Sequence, residues 1–158
     1  MKRHFSPRAR RRQRGATAVE FALVFPMFFL IFYAIVTFGL IFAVQQNLTL
    51  AASEGARAAL NYVPGTTTTA ALTARAQKAQ GMALAYIAPG LKQYVDVPVP
   101  TPASCSYDPS NANLHCVTVT VTYRYKDSPL VPNIPLLGMV LPNALTSSAT
   151  VQIPDTYL

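Results

Sequence analysis

Few side chains of this sequence could act in catalysis or bind a metal, and their positions in the sequence keep most of them apart from one another. The chain has two histidines, His4 and His115, and two cysteines, Cys105 and Cys116. A thiol nucleophile needs a base within hydrogen-bond reach, but neighbouring residues of a strand point to opposite faces, so His115 cannot activate Cys116. The sequence has no glycine-rich phosphate loop and no Cys-x-x-Cys pair. We therefore expect no enzyme activity, no cofactor, no small-molecule substrate and no metal site.

An apolar run near the N terminus accounts for the low charge of the chain. Only 12% of the residues are charged, against about 25% in an ordinary soluble domain. From Phe21 to Val44 the only ionisable side chain is Tyr33. A helix of this length spans roughly 36 Å, enough for a hydrocarbon core of about 30 Å. We predict a retained transmembrane helix over residues 16–44, kinked at Pro26; the alternative is the core helix of a soluble protein.

The net positive charge comes from the residues before this run. The net charge is +7, and 7 of the 13 basic residues fall within residues 1–14. A nucleic-acid-binding domain spreads its basic residues over a folded face, so we expect no nucleic-acid partner. By the positive-inside rule, the arginines place the N terminus in the cytoplasm and the rest of the chain across the membrane. His4 and His115 then lie on opposite sides of the membrane.

Two helical segments follow the apolar run. The helical period continues over residues 45–63 with a stripe of small or apolar residues: Leu48, Ala52, Gly55, Ala59 and Val63. A second helix begins within Thr66–Thr69, which offer N-caps, and its predicted apolar stripe contains Leu72, Ala76, Ala79, Ala83 and Ile87. Arg75, Gln77 and Lys78 are expected to be exposed on that helix. A Pro-Gly pair ends each segment, at 64–65 and at 89–90.

The remaining sequence alternates with the period of strands. We predict an edge strand over residues 95–99, a main strand over 116–126 and a last strand over 146–153. On the main strand one face is apolar: Val117, Val119, Val121, Tyr123 and Tyr125. The proline-rich loop 129–142 is expected to cover the sheet edge or to dock on a membrane or partner. The predicted fold class is α+β, with a small antiparallel sheet of three to four strands after the helices, as in a pilin.

Cys105 and Cys116 enclose ten residues rich in turn formers. If this part of the chain lies in an oxidising compartment, two cysteines pair readily, and closing such a loop stabilises the fold by about 3 kcal/mol. The alternative is two unpaired thiols. We predict a structural disulfide.

The junction RQRGATAVEFALVFP places a basic stretch, Gly15 and then Glu20 ahead of the apolar helix. It resembles a type IV prepilin cleavage site, at which a peptidase cuts after the glycine and the glutamate is fifth in the mature chain. The stretch QQNLTLAASEGARAAL, with Glu54, Gly55 and Arg57, resembles the helix extension of TadE-like proteins of the tight-adherence (Flp) pilus system. The closing strand LTSSATVQI, after a loop rich in proline and leucine, is also similar to that family.

The resemblance implies a TadE-like minor pilin or pseudopilin. Residues 1–15 would be a leader that prepilin peptidase removes between Gly15 and Ala16, and residues 64–158 would form a periplasmic head. The implied location is the bacterial inner membrane, with incorporation into an extracellular pilus. The implied partners are the membrane, the peptidase, other pilus subunits and the assembly machinery. The implied function is pilus assembly and surface adhesion, with Glu20 assigned to assembly.

Other interpretations of the same residues stay open. The chain could be a permanently anchored periplasmic scaffold or receptor with an uncleaved basic tail, or a membrane-tethered nucleic-acid binder. Glu20 could simply be a favourable acid in the first turn of a helix. Genes for a pilus ATPase and a prepilin peptidase next to this one would favour the pilus interpretation.

Overall fold

The computed structural model describes residues 13–111, 113–132 and 141–157, with the backbone alone at residues 13, 14 and 16. Within the described residues, two helices precede a four-stranded antiparallel sheet. This is the predicted α+β order. The chain divides into two compact units, one up to Gly39 and one from Leu40 onwards. Most of the predicted leader and the centre of the proline-rich loop lie outside the described residues.

Helix α1 runs from Gln13 to Ala59 and continues through Pro26. The prediction extended this helical segment to Val63. The backbone amides of residues 60 and 61 instead donate to carbonyls three residues back, at 3.1 and 3.2 Å. Such a tight last turn closes a helix, and Pro64 disfavours helical backbone at the residue before it. Helix α1 therefore ends before Val63.

Helix α2 runs from Thr68 to Tyr86. Its N-cap is Thr67, one of the predicted candidates, whose side-chain oxygen accepts a hydrogen bond from the Ala70 amide at 3.2 Å. The buried residues of the helix are Ala71, Leu72, Arg75, Ala76, Ala79 and Ala83. The expected exposure of Arg75 is wrong, because this residue is only 1% exposed. It lies three residues after Leu72, so helical spacing places it on the buried stripe.

The sheet is built around its third strand. Strand β3 (Leu114–Tyr123) pairs along its whole length with β4 (Leu145–Pro154). Two short strands, β1 (Val95–Asp96) and β2 (Ala103–Ser104), pair with opposite ends of β3. All of these pairs are antiparallel.

Two strands end earlier than predicted. The expected edge strand over 95–99 is reduced to two residues, since the prolines that follow have no amide hydrogen to donate to a ladder. The main strand was expected to reach Lys126 but ends at Tyr123. There the amide of Tyr125 donates to the carbonyl of Tyr123 at 3.0 Å, which turns the chain out of the ladder. The side chain of Tyr125 remains buried as predicted.

The core of the unit from Leu40 onwards lies where the inner face of the sheet meets small residues of both helices. Val117, Val119 and Val121 of β3 are fully buried, as their alternation predicts. Their helical neighbours in the core cluster include these leucine and alanine residues: Leu48, Ala52, Ala59, Ala79 and Ala83. Alanine side chains let the helices approach the sheet closely. The core thus combines the small residues of the helices with larger buried side chains such as Ile87, Tyr123 and Ile153.

Candidate membrane and assembly site

The first unit presents apolar side chains outward. Residues Thr17–Ala59 form a helix that is long and apolar enough to cross a membrane, and only 11% of its most apolar stretch is buried. Leu23 is 74% exposed and Phe21 65% exposed. The core helix of a soluble protein would bury such side chains, because apolar area in water costs roughly 25 cal/mol per Å². The outward apolar surface supports the predicted membrane helix.

The residues predicted to direct processing and assembly lie together at the start of α1. Gly15 and Glu20 are exposed, and Ala16 contributes its backbone to the same helix. Residues four apart share a helix face, so Ala16 and Glu20 lie one turn from each other. Among the described residues, no cation pairs with the Glu20 carboxylate.

Gly15 has no packing role in the described fold. A Cβ atom added there would find nothing within 4 Å among the described residues. A side chain at this position would therefore shift none of the described residues. The described fold thus gives no packing reason for a glycine at position 15.

The residues of the predicted helix-extension motif, Glu54, Gly55 and Arg57, have two different roles in the structure. Arg57 donates from Nη1 to Oε1 of Glu54 at 3.1 Å, and the arginine side chain is 73% exposed. Exposed pairs of this kind contribute little to stability. Gly55 instead packs closely, since an added Cβ would lie 2.9 Å from both the Ala79 carbonyl oxygen and the Ala83 Cβ. The glycine allows α1 and α2 to approach, as its place on the small-residue stripe predicts.

Replacing Gly55 with alanine should destabilise the unit from Leu40 onwards. The new methyl group would overpack the junction of α1 and α2, which costs roughly 1–3 kcal/mol. The matched control is Gly81→Ala on α2, where an added Cβ finds nothing within 4 Å among the described residues. There alanine should stabilise the helix by roughly 0.5–1 kcal/mol. Urea unfolding of the full chain in detergent measures both, and equal effects would contradict the packing role of Gly55.

Cys105 and Cys116 form a disulfide, which confirms the prediction. The Cα atoms are 5.1 Å apart. Cys105 directly follows β2, and Cys116 lies opposite Ala103 in the β2–β3 pair. The bond therefore ties the turn-rich loop between the cysteines to the central strand. Its role is structural.

Removing this bond should weaken the sheet and leave the N-terminal helix in place. We expect the Cys105→Ala, Cys116→Ala double variant to lose about 2–5 kcal/mol of unfolding free energy, as is typical for a native disulfide. Alkylation of the wild-type chain in denaturant should label neither cysteine until a reductant is added. Denaturant is needed because Cys105 is fully buried in the folded chain. Two free thiols in the unreduced, denatured chain would contradict the bond.

His115 and Cys116 do not form a catalytic pair in this structure. Nε2 of His115 lies 2.8 Å from Oδ1 of Asp155, and the sulfur of Cys116 is part of the disulfide. Asp155 follows the end of β4, which pairs with the strand that carries His115. The contact between His115 and Asp155 therefore holds the segment after β4 against the first residues of β3.

Arg75 is a buried polar residue that was predicted to be exposed. It lines an open cavity together with Tyr62 and Tyr157. Its position three residues after Leu72 and four before Ala79 predicts burial, whereas an arginine is usually exposed. The helical spacing of Arg75 from Leu72 and Ala79 is thus the signal in the sequence that indicates its burial.

These features define an α+β protein with an exposed apolar N-terminal helix and a disulfide-bonded sheet unit. Residues 15–57 match the family model described as TadE-like protein, so this segment is similar to that family. The match confirms the predicted resemblance and indicates a protein associated with the tight-adherence pilus. No curated protein and no solved structure matches the chain.

The segment that matches the TadE-like family model lies entirely within α1. It begins at Gly15, contains Glu20 and ends at Arg57, the cation of the surface ion pair. It therefore covers the apolar helix and the part of the small-residue stripe up to Gly55. Helix α2 and the sheet lie outside the matched segment.

Proposed function

We propose that this chain is a TadE-like minor pilin or pseudopilin that takes part in assembly of the tight-adherence (Flp) pilus and in surface adhesion. The observation that carries the proposal is the family match over residues 15–57, on a helix whose apolar side chains face outward. A fibre subunit of this kind needs a helix that can rest in a membrane and later pack against other subunits. An unpartnered apolar helix meets both needs.

The proposed location is the bacterial inner membrane, with the N terminus in the cytoplasm and the sheet unit in the periplasm. The cluster of basic residues before the apolar helix supports this orientation through the positive-inside rule. The disulfide between Cys105 and Cys116 supports it independently. Such bonds persist in the periplasm and are rare in the cytoplasm.

The proposed processing is a cut by prepilin peptidase between Gly15 and Ala16. The surroundings of Gly15 support this assignment, because among the described residues no packing contact requires a glycine there. The cut would remove the basic leader and create a positive amine on Ala16. That amine would lie one helical turn from the Glu20 carboxylate.

The proposed role is structural rather than catalytic. In support, the Cys116 sulfur is oxidised and His115 lies against Asp155, so neither is arranged as a nucleophile or its base. Among the described residues, no group of three or more histidine, cysteine, aspartate or glutamate side chains is placed to hold a metal ion. The binding partners of the proposal are other pilus subunits and the assembly machinery.

Co-purification tests this function. The full chain, tagged at its C terminus and solubilised from membranes in mild detergent, should bring down pilus subunits and assembly components identified by mass spectrometry. A tagged single-pass protein of unrelated sequence from the same cells is the control for carry-over. Recovery of the same proteins with both baits, or of none with this chain, would contradict the proposal.

A further inference from the structure

The outer face of the sheet carries a polar groove. Its volume is about 430 Å³, and the described residues around it include Ser104, Tyr107, Thr118, Thr150 and Gln152. All five are exposed. Thr118 and Thr150 lie opposite each other on β3 and β4, on the face turned away from the buried valines. The volume falls within the range of sites for small ligands.

The walls of the groove are polar but uncharged. Within the part of the chain that the structure describes, no Asp, Glu, Lys, Arg or His lines it. The neighbouring residues outside the described ranges, 112 and 133–140, carry no ionisable side chain either. A charged ligand would lose hydration in this groove without gaining an opposite charge. A neutral ligand with many hydroxyl groups would instead exchange hydrogen bonds with water for hydrogen bonds with the protein.

The side chains of the groove can both donate and accept hydrogen bonds. Oγ1 of Thr118 lies 2.8 Å from Oγ1 of Thr150, and either hydroxyl can be the donor. Each hydroxyl has one hydrogen and two lone pairs, so the pair keeps a hydrogen to donate and lone pairs to accept. The amide of Gln152 adds donors and an acceptor on the same face. Sugar hydroxyls also donate and accept, so these groups match them.

An exposed aromatic ring stands at the groove in a fixed segment. Tyr107 is 61% exposed and lies in a turn in which the Asp108 amide donates to the Cys105 carbonyl at 3.1 Å. Cys105 is bonded to Cys116, which itself lines the groove. The turn and the disulfide hold this backbone in place before a ligand arrives, which lowers the cost of binding. The tyrosine ring offers an apolar face to the C–H groups of a sugar ring and a hydroxyl at its tip.

We propose that this groove binds a neutral sugar unit. The hydroxyls of Thr118 and Thr150 and the amide of Gln152 exchange hydrogen bonds with the sugar hydroxyls, and the ring of Tyr107 packs against the sugar ring. The proposal does not rest on the pilus function, because the groove lies outside residues 15–57.

Saturation-transfer-difference NMR of the full chain tests the site with the methyl glycosides of glucose, galactose and mannose. The chain is held in a phosphocholine detergent, because a maltoside detergent would itself present sugar. We expect saturable binding of at least one of these glycosides. The methyl uronide of the same sugar carries a carboxylate in place of the hydroxymethyl group. It should bind at least about tenfold more weakly, because the groove offers its charge no counter-ion.

Two matched variants locate the binding. Thr118→Val removes a hydroxyl from the groove and keeps the β-branched shape, so it should weaken binding about threefold to tenfold, the effect of one neutral hydrogen bond. Thr122→Val makes the same change further along the same face of β3, where Thr122 Oγ1 lies 3.3 Å from Thr146 Oγ1. Thr122 does not line the groove, so this variant should bind as the wild type does.

Three results would overturn the proposal. They are the absence of saturable binding of all three glycosides, equal binding of glycoside and uronide, and equal affinity of Thr118→Val and Thr122→Val. The comparison of glycoside with uronide uses the wild-type chain alone, so it decides even if a variant fails to fold. Co-purification with pilus components is measured separately, so failure of the sugar site leaves the proposed function intact.

Discussion

Valine at position 15 should leave the chain with its basic N-terminal segment attached. The structure has open space around Gly15, so the side chain itself disturbs nothing in the described fold. A peptidase that recognises the glycine would instead meet a β-branched residue, which restricts the backbone and crowds the bond to be cut. We expect processing that is complete in the wild type to be abolished in Gly15→Val, while membrane insertion is unchanged.

The matched control for this prediction is Gly39→Val. Gly39 also lies in α1, and an added Cβ there finds nothing within 4 Å among the described residues. This variant should be cut as the wild type is, because position 39 is far along the chain from the cleavage site. Intact-mass spectrometry of both variants from membranes measures the outcome. Cutting of Gly15→Val after residue 15, or failure to cut Gly39→Val, would contradict the assignment of Gly15.

Glutamine at position 20 should permit insertion and cleavage but abolish co-assembly. A charge at membrane depth costs roughly 2.5–3.5 kcal/mol on insertion scales, less near the interface, so the Ala16 amine and the Glu20 carboxylate both gain from an opposite charge. Within one chain Glu20 can partly offset its own amine and the helix N terminus. Between chains, the same carboxylate can pair with the amine of a subunit already in the fibre. That second pairing would fix the axial register of assembly.

Co-purification with the pilus subunits separates this role from a merely favourable charge near a helix N terminus. In the cut chain the helix would begin at Ala16, and an acid near that end stabilises a helix by about 0.3–1 kcal/mol, so the simpler role predicts a small loss of stability and wild-type co-purification. Glu54→Gln makes the same change further along α1, in an exposed ion pair, and should co-purify normally. Wild-type recovery with Glu20→Gln would exclude the register role. Equal loss with both variants would exclude it as well.

The elements with strong periodicity could be predicted from the sequence. The alternation of Val117, Val119 and Val121 with threonines predicts which face of β3 is buried, because side chains of a strand alternate between faces. The threonines before α2 predict its cap, since a hydroxyl oxygen can satisfy a free amide of the first turn. The stripe of small residues through Gly55 predicts close packing of α1 against another element, because residues without large side chains let two backbones approach each other.

The remaining features depend on tertiary pairing. Strand β2 has two residues, both exposed, and it is a strand only because they pair with His115 and Cys116 of β3. No local pattern of the sequence marks it. The cavity beside Arg75 has no local pattern either, because Tyr62 follows α1, Arg75 lies in α2 and Tyr157 follows β4.

The N terminus of the mature wild-type chain tests the central claim most directly. That claim is that a peptidase releases this chain from its basic leader so that it can enter a fibre. Intact-mass spectrometry of protein purified from membranes, with an N-terminal peptide map, identifies the first residue. The account predicts a mature chain that begins at Ala16 and lacks residues 1–15. A mature chain that still begins at Met1 would contradict it and would favour a permanently anchored periplasmic scaffold or receptor.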